Sequence, residues 1–166
     1  MFKKTLLLLA LGAFASSAFG EEMEVVGNVQ SKCVVTPDTA GVYGNPTPGS
    51  LDTDPTSGGV DPIVRYDVIQ ASFYKARIVH PNDFSEAPSL NDVVNWTGDT
   101  ATTQVSDAGM SAYDAAKVEF DNVTEFDLTI AGTVWFKATS IADYGFEKSL
   151  PAGEYNAVVE AECIAL

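Results

Sequence analysis

Basic residues, histidine and cysteine are all scarce in this chain, and each scarcity removes a class of function. Nine Lys and Arg stand against 23 Asp and Glu, a formal net charge of −14. Nucleic-acid phosphates and anionic membrane surfaces both demand a basic face, so the charge disfavours either as a partner. The single histidine, His80, opens the string HPND at residues 80–83, with no serine or cysteine nucleophile motif beside it. It reads as a turn residue rather than a catalytic base. The two cysteines, Cys33 and Cys163, lack CxxC spacing, which argues against a redox or metal pair. P-loop, Rossmann, HExxH and GxSxG signatures are missing too, and the chain reads as a non-enzyme. The 23 carboxylates always allow two to meet, but only a fold gives their separation.

What is present begins with an export signal. Lys3 and Lys4 form a basic start, residues 6–14 an apolar run too short to span a bilayer, and Ala18, Phe19 and Gly20 a small-x-small cleavage site. Removing residues 1–20 leaves residues 21–166, a length typical of one domain. Seven Lys and Arg then face all 23 acids, a net charge of −16. In the periplasm or outside the cell, such acidity favours solubility.

Two stretches alternate with a period of two. In residues 153–166, Tyr155, Ala157, Val159, Ala161, Cys163 and Ala165 share one face, while Asn156, Glu160 and Glu162 share the other. In residues 23–35, Met23, Val25, Gly27, Val29, Ser31, Cys33 and Val35 share a face. Both cysteines sit on apolar faces, and an oxidising compartment favours their pairing. A bridge requires only that the first and last strands be neighbours. Closing 130 residues of chain stabilises by roughly 5 kcal/mol on the chain-entropy account.

Between them, residues 36–62 hold five of the eight prolines and read as a long connection. Asp52, Asp54 and Asp61 gather there around Gly58 and Gly59. Hard oxygens in a flexible loop are a candidate calcium site, although the EF-hand order is absent and turn chemistry explains the same residues. Residues 63–79 read as one long strand or two joined at a bend, with Val64, Tyr66, Val68, Tyr74, Ala76 and Ile78 of one parity. Residues 90–96 form a candidate strand closed by Gly98 and Asp99, with residues 102–105 as a hairpin return and Trp96 as a candidate core aromatic. Residues 106–117 are the one plausible helix, capped by Asp107. Short strands follow at residues 118–120, 126–130 and 133–139, the last two forming a hairpin or a kinked strand around Gly132. Asn95 and Asn122 match the glycosylation pattern, which arises often by chance. Together these features predict an all-β, immunoglobulin-like sandwich with at most one short helix.

Three strings resemble the chaperone-usher pilins and the related spore coat U-like fimbrial domains. They are CVVTP at residues 33–37 leading to VYGNP at 42–46, the loop GGV at 58–60 before the run at 63–78, and PAGEY at 151–155 opening the terminal alternation. Gly153 stands fourteen residues from the end, where that family starts its last strand. Where the family places a second cysteine, this chain has Ile69. The resemblance implies a pilin-like sandwich lacking its last strand, completed by a neighbouring subunit. The donor is then residues 21–30, presenting Met23, Val25, Gly27 and Val29; the groove strands lie near Cys33 and at residues 157–166, and the terminal one presents Tyr155, Ala157, Val159 and Ala161. Implied partners are other copies or related subunits, a periplasmic chaperone and an outer-membrane usher. The expected function is therefore a secreted subunit of a surface filament. The alternative is a self-contained secreted sandwich that binds a ligand, with a weak calcium loop.

Overall fold

The computed structural model describes residues 32–166 as ten strands and one short helix in two antiparallel sheets packed face to face. In chain order the strands are β1 (Cys33–Thr39), β2 (Gly44–Thr47), β3 (Ser50–Asp52), β4 (Ile63–Val68), β5 (Tyr74–Val79), β6 (Asn95–Val105), β7 (Val118–Phe120), β8 (Val123–Asp127), β9 (Gly132–Asp143) and β10 (Glu160–Ala165). The larger sheet runs β1-β4-β9-β3-β2, with β6 along the other edge of β9. The smaller sheet runs β10-β5-β8-β7.

β9 organises the larger sheet because it is long enough to serve three partners. On one side it pairs β4 from Gly132 to Lys137 and β3 from Ile141 to Asp143; on the other it pairs β6 from Val134 to Asp143. Its Val134, Phe136, Ala138, Ser140 and Ala142 point inward and are buried, as strict alternation requires. Opposite them lie Ala76, Ile78 and Phe126 of the smaller sheet. Phe136 stacks on Phe126 at 4.2 Å between centroids and meets the edge of Tyr66 at 5.5 Å. These rings join the sheets at their centre.

Several sequence expectations change once pairing is visible. Residues 63–79 divide into β4 and β5, which lie in opposite sheets, so the chain crosses the sandwich between them. Residues 126–139 are neither a hairpin nor one kinked strand: β8 and β9 also lie in opposite sheets. Gly132, at φ +143°, makes that crossing, and a Cβ there would stand 2.8 Å from Met110 Cε. The hairpin expected around Gly98 is instead the single strand β6, eleven residues long. Gly98 serves close packing rather than a turn, since its Cβ would fall 2.5 Å from the His80 ring. The connection over residues 36–62 contains the end of β1 together with β2 and β3. Pro37 fits β1 because β1 is an edge strand.

The expected helix is a 3-10 turn at Ala108–Ala112 continued by α1 (Tyr113–Ala116). Asp107 caps it by accepting from Gly109 N at 2.8 Å, and Met110 and Tyr113 are buried beneath it. Trp96 is half-buried, packed edge-on against Phe84 at 4.7 Å outside the main core.

The centrality of Phe136 generates the first prediction. Phe136→Ala should cost about 3–5 kcal/mol in denaturant unfolding, whereas Thr97→Ala, exposed on β6, should stay within about 0.5 kcal/mol.

Candidate functional site: an apolar groove between the first and last strands

β1 and β10 are each the outer strand of their sheet, and they lie on the same side of the sandwich. Cys33 pairs with Val68 on β4, and Cys163 with Ala76 on β5, so both sulfurs turn toward the core. They form a disulfide with a Cα–Cα distance of 6.1 Å. The first and last strands are thus neighbours across the two sheets rather than within one. Beside the bridge β4 is tied to the smaller sheet: the Tyr66 hydroxyl donates to Arg77 O of β5 at 3.1 Å and approaches Glu162 O of β10 at 3.4 Å. Burial pushes the Tyr66 phenol well above its ordinary pKa, so it remains a donor.

Away from the bridge the strands part around a groove of about 770 Å³. Val35, Pro37 and Thr39 of β1 form one wall, and Val64, Leu51 and Ala138 form the floor. Tyr155, Ala157, Val159 and Ala161 all stand along the opposite wall, so the sequence-derived groove strand is gathered in one place. The expected long terminal strand, however, is paired only over Glu160–Ala165. Its partner β5 stops at Val79, and Pro81 then offers no N–H. Glu86 returns to bridge Asn156, and the Ser85 N–H donates to Asn156 O at 2.8 Å. On the groove side no described strand pairs this segment.

Among the described residues no Asp, Glu, Lys, Arg or His lines the groove. In a chain of net charge −14 this is a marked local exception. Its open end is framed by rings, Phe84 lying edge-on to Tyr43 at 6.5 Å and to Tyr155 at 5.1 Å. Burial also raises the Tyr43 phenol, whose oxygen lies 3.0 Å from Ser140 Oγ. A groove strand near Cys33 was expected, but the floor was not foreseen, because the distance in sequence of Leu51, Val64 and Ala138 from residues 155–161 gives no sign that they face each other. The donor residues Met23, Val25, Gly27 and Val29 lie outside the described residues.

The acidic loop does different work. Asp54 caps the 3-10 turn Pro55–Ser57, accepting from Thr56 N at 2.8 Å and Thr56 Oγ1 at 2.6 Å, which lowers its pKa. Asp52 accepts from Asp54 N at 2.8 Å and Ser57 Oγ at 2.7 Å. Asp61 is buried, accepts from Thr53 Oγ1 at 3.1 Å and faces Lys137 Nζ at 3.4 Å. The three carboxylates are committed to separate partners, and no described group of three acidic, histidine or cysteine side chains is placed to hold a metal. Titration with calcium at physiological salt should therefore show no saturable micromolar binding, and Asp54→Ala should leave the titration unchanged.

His80, read from sequence as a turn residue, directly follows β5 and is buried. It shares the parity of Ala76 and Ile78, which are buried as well. Its Nε2 lies 2.9 Å from Thr100 Oγ1, its N–H donates to Asn122 O at 2.7 Å, and Asn122 Nδ2 donates to its carbonyl at 2.6 Å. Nδ1 faces the Thr139 carbonyl without reaching a well-aligned hydrogen bond. The ring borders a smaller cleft of about 330 Å³ with Trp96, Asp99 and Glu119. Both acids there are paired to Lys117, at 2.5 and 2.7 Å. The Asn122 side chain that matched the glycosylation pattern is held inside this network.

Burial lowers the His80 pKa below 6.5, against a smaller opposing pull from the Thr139 carbonyl, Asp99 and Glu119. The unfolded chain thus binds this proton more readily than the folded one. Its contribution to stability is full above pH 6.5 and is lost as the pH falls through the folded-state value. Unfolding midpoints measured from pH 7.5 to 5 should fall with acidity, and His80→Gln should flatten that slope.

Comparison with models of known families, with curated proteins and with solved structures yields no match. The groove's own geometry carries the functional argument.

Proposed function

We propose that the protein is an exported structural subunit of a surface filament, assembled by donation of a β-strand from one copy or a related subunit into the groove of the next. The observation that carries this reading is the uncharged groove between two edge strands. In the immunoglobulin plan a seventh strand follows the sixth and covers its outer edge. Here β10 pairs β5 on one side, and its other edge has no partner among the described residues. An alternating apolar strand suits that vacancy: backbone groups pair with the open edge while alternate side chains enter the groove.

Residues 21–30 have the required alternation, with Met23, Val25, Gly27 and Val29 on one face. The described chain begins at Lys32, beside the disulfide, where the groove is closed. A segment preceding Lys32 starts from that closed end, so donation to another molecule needs no reversal of the chain. The lining, largely apolar and without acid, base or histidine among the described residues, suits a recognised peptide rather than a chemical step. Before assembly, an open edge and apolar groove call for protection by a periplasmic chaperone, and delivery to a filament calls for an outer-membrane usher. Residues 1–20 supply the export signal, and the disulfide suits an oxidising compartment.

Deleting residues 21–30 should leave a monomer that aggregates slowly and accepts a synthetic peptide of that sequence. Peptide at 100 times its Kd should raise stability by about 2.7 kcal/mol, and the Val25→Asp peptide should lose most of that gain. A full-length protein that stays monomeric at high concentration, with unfolding unmoved by peptide, would instead support a self-contained sandwich.

A further inference from the structure

We propose that the Cys33–Cys163 disulfide is a register stop: it fixes where a strand entering the groove must end, and so which of its side chains meet which pockets. The inference rests on the strand-donation reading and adds the determinant of its specificity. Neighbouring strands in a sheet lie about 4.8 Å apart, so a strand lodged between β1 and β10 needs them separated by about 9–10 Å. At the bridge their Cα atoms are only 6.1 Å apart. A third strand does not fit there.

The groove lining obeys that limit. It extends along β1 from Thr39 to Val35 and along the opposite wall from Tyr155 to Ala161, stopping short of Cys33 and Cys163 on both. Beyond the bridge, β10 continues to Ala165, and its Glu162 and Ile164 side chains face the outer surface with Arg77 and Lys75. No strand pairing joins β1 to β10 among the described residues. The covalent tie that holds them close is the bridge, and the Tyr66 contact beside it joins β10 to β4, the neighbour of β1. A one-residue slip of a bound strand would turn its apolar face away from the groove, so a fixed end point has large consequences for specificity.

Reduction should therefore relax the stop. In that step a dithiol reductant gives two electrons and two protons to the bridge, leaving Cys33 and Cys163 as thiols and the reductant as a disulfide. With the bridge opened and no strand pairing between β1 and β10 among the described residues, the strands are free to part and a bound strand is free to slide toward Ala165.

Hydrogen exchange of the protein lacking residues 21–30, with and without the peptide of that sequence, tests the proposal. In the oxidised protein, peptide-induced protection should cover residues 155–161 and end there. In the Cys33→Ser/Cys163→Ser variant it should extend into residues 162–165, and a peptide shifted by two residues should bind within threefold of the original instead of at least tenfold more weakly. Protection through residue 165 in the oxidised protein overturns the stop while leaving strand donation intact, and this arm does not depend on the variant folding. Identical protection and identical peptide preference in a folded variant also overturn it. Failure of the peptide to bind either form removes strand donation, and the stop with it.

Discussion

An apolar inner face and an unpaired strand edge both need a partner, and the two sheets of this sandwich meet that need unevenly. Six strands face four. The four cover the centre of the larger sheet, where Phe126 lies on Phe136, but not the end where Leu51, Val64 and Ala138 form the groove floor. Termination of β5 at Val79 enlarges the gap, because the chain before Glu160 then loses its ladder. The groove is the consequence of two sheets whose apolar faces differ in extent.

The two long sides of the sandwich are closed by different chemistry. On the side of β6 and β7, Lys117 reaches Asp99 and Glu119. Burial alone would lower its pKa, but the two carboxylates outweigh that effect and raise it. This clasp is partly exposed, and such ion pairs contribute modestly. On the side of β1 and β10 the closure is covalent at one end and absent at the other. A covalent tie confined to one end holds the walls near each other without filling the space between them. That combination preserves an opening that apolar collapse would otherwise tend to shut.

His80 and the acidic loop show how residue types that suit a site also support a fold. Asp52, Asp54 and Asp61 have the residue types of a cation site, but each carboxylate is engaged by neighbouring donors within the loop or by Lys137. His80 has the chemistry of a base, yet it packs inside against Gly98 and Thr100. Its inward direction was available from its parity with Ala76 and Ile78, a signal that its place before Pro81 obscured.

Alternation by itself determined the all-β class, the inward faces of β4, β5 and β9, and the inward sulfurs of Cys33 and Cys163, because side-chain direction in a strand follows from position alone. Sequence also singled out Tyr155, Ala157, Val159 and Ala161 as one face, although it overstated the paired length of their strand. Only tertiary structure decided which runs crossed between sheets at residues 69–73 and at Gly132, and that Gly98 lies within a strand. It alone brought Leu51, Val64 and Ala138 opposite residues 155–161. The reason is physical: strand periodicity is a local steric property, whereas pairing and the space left between sheets depend on contacts among residues far apart in the chain.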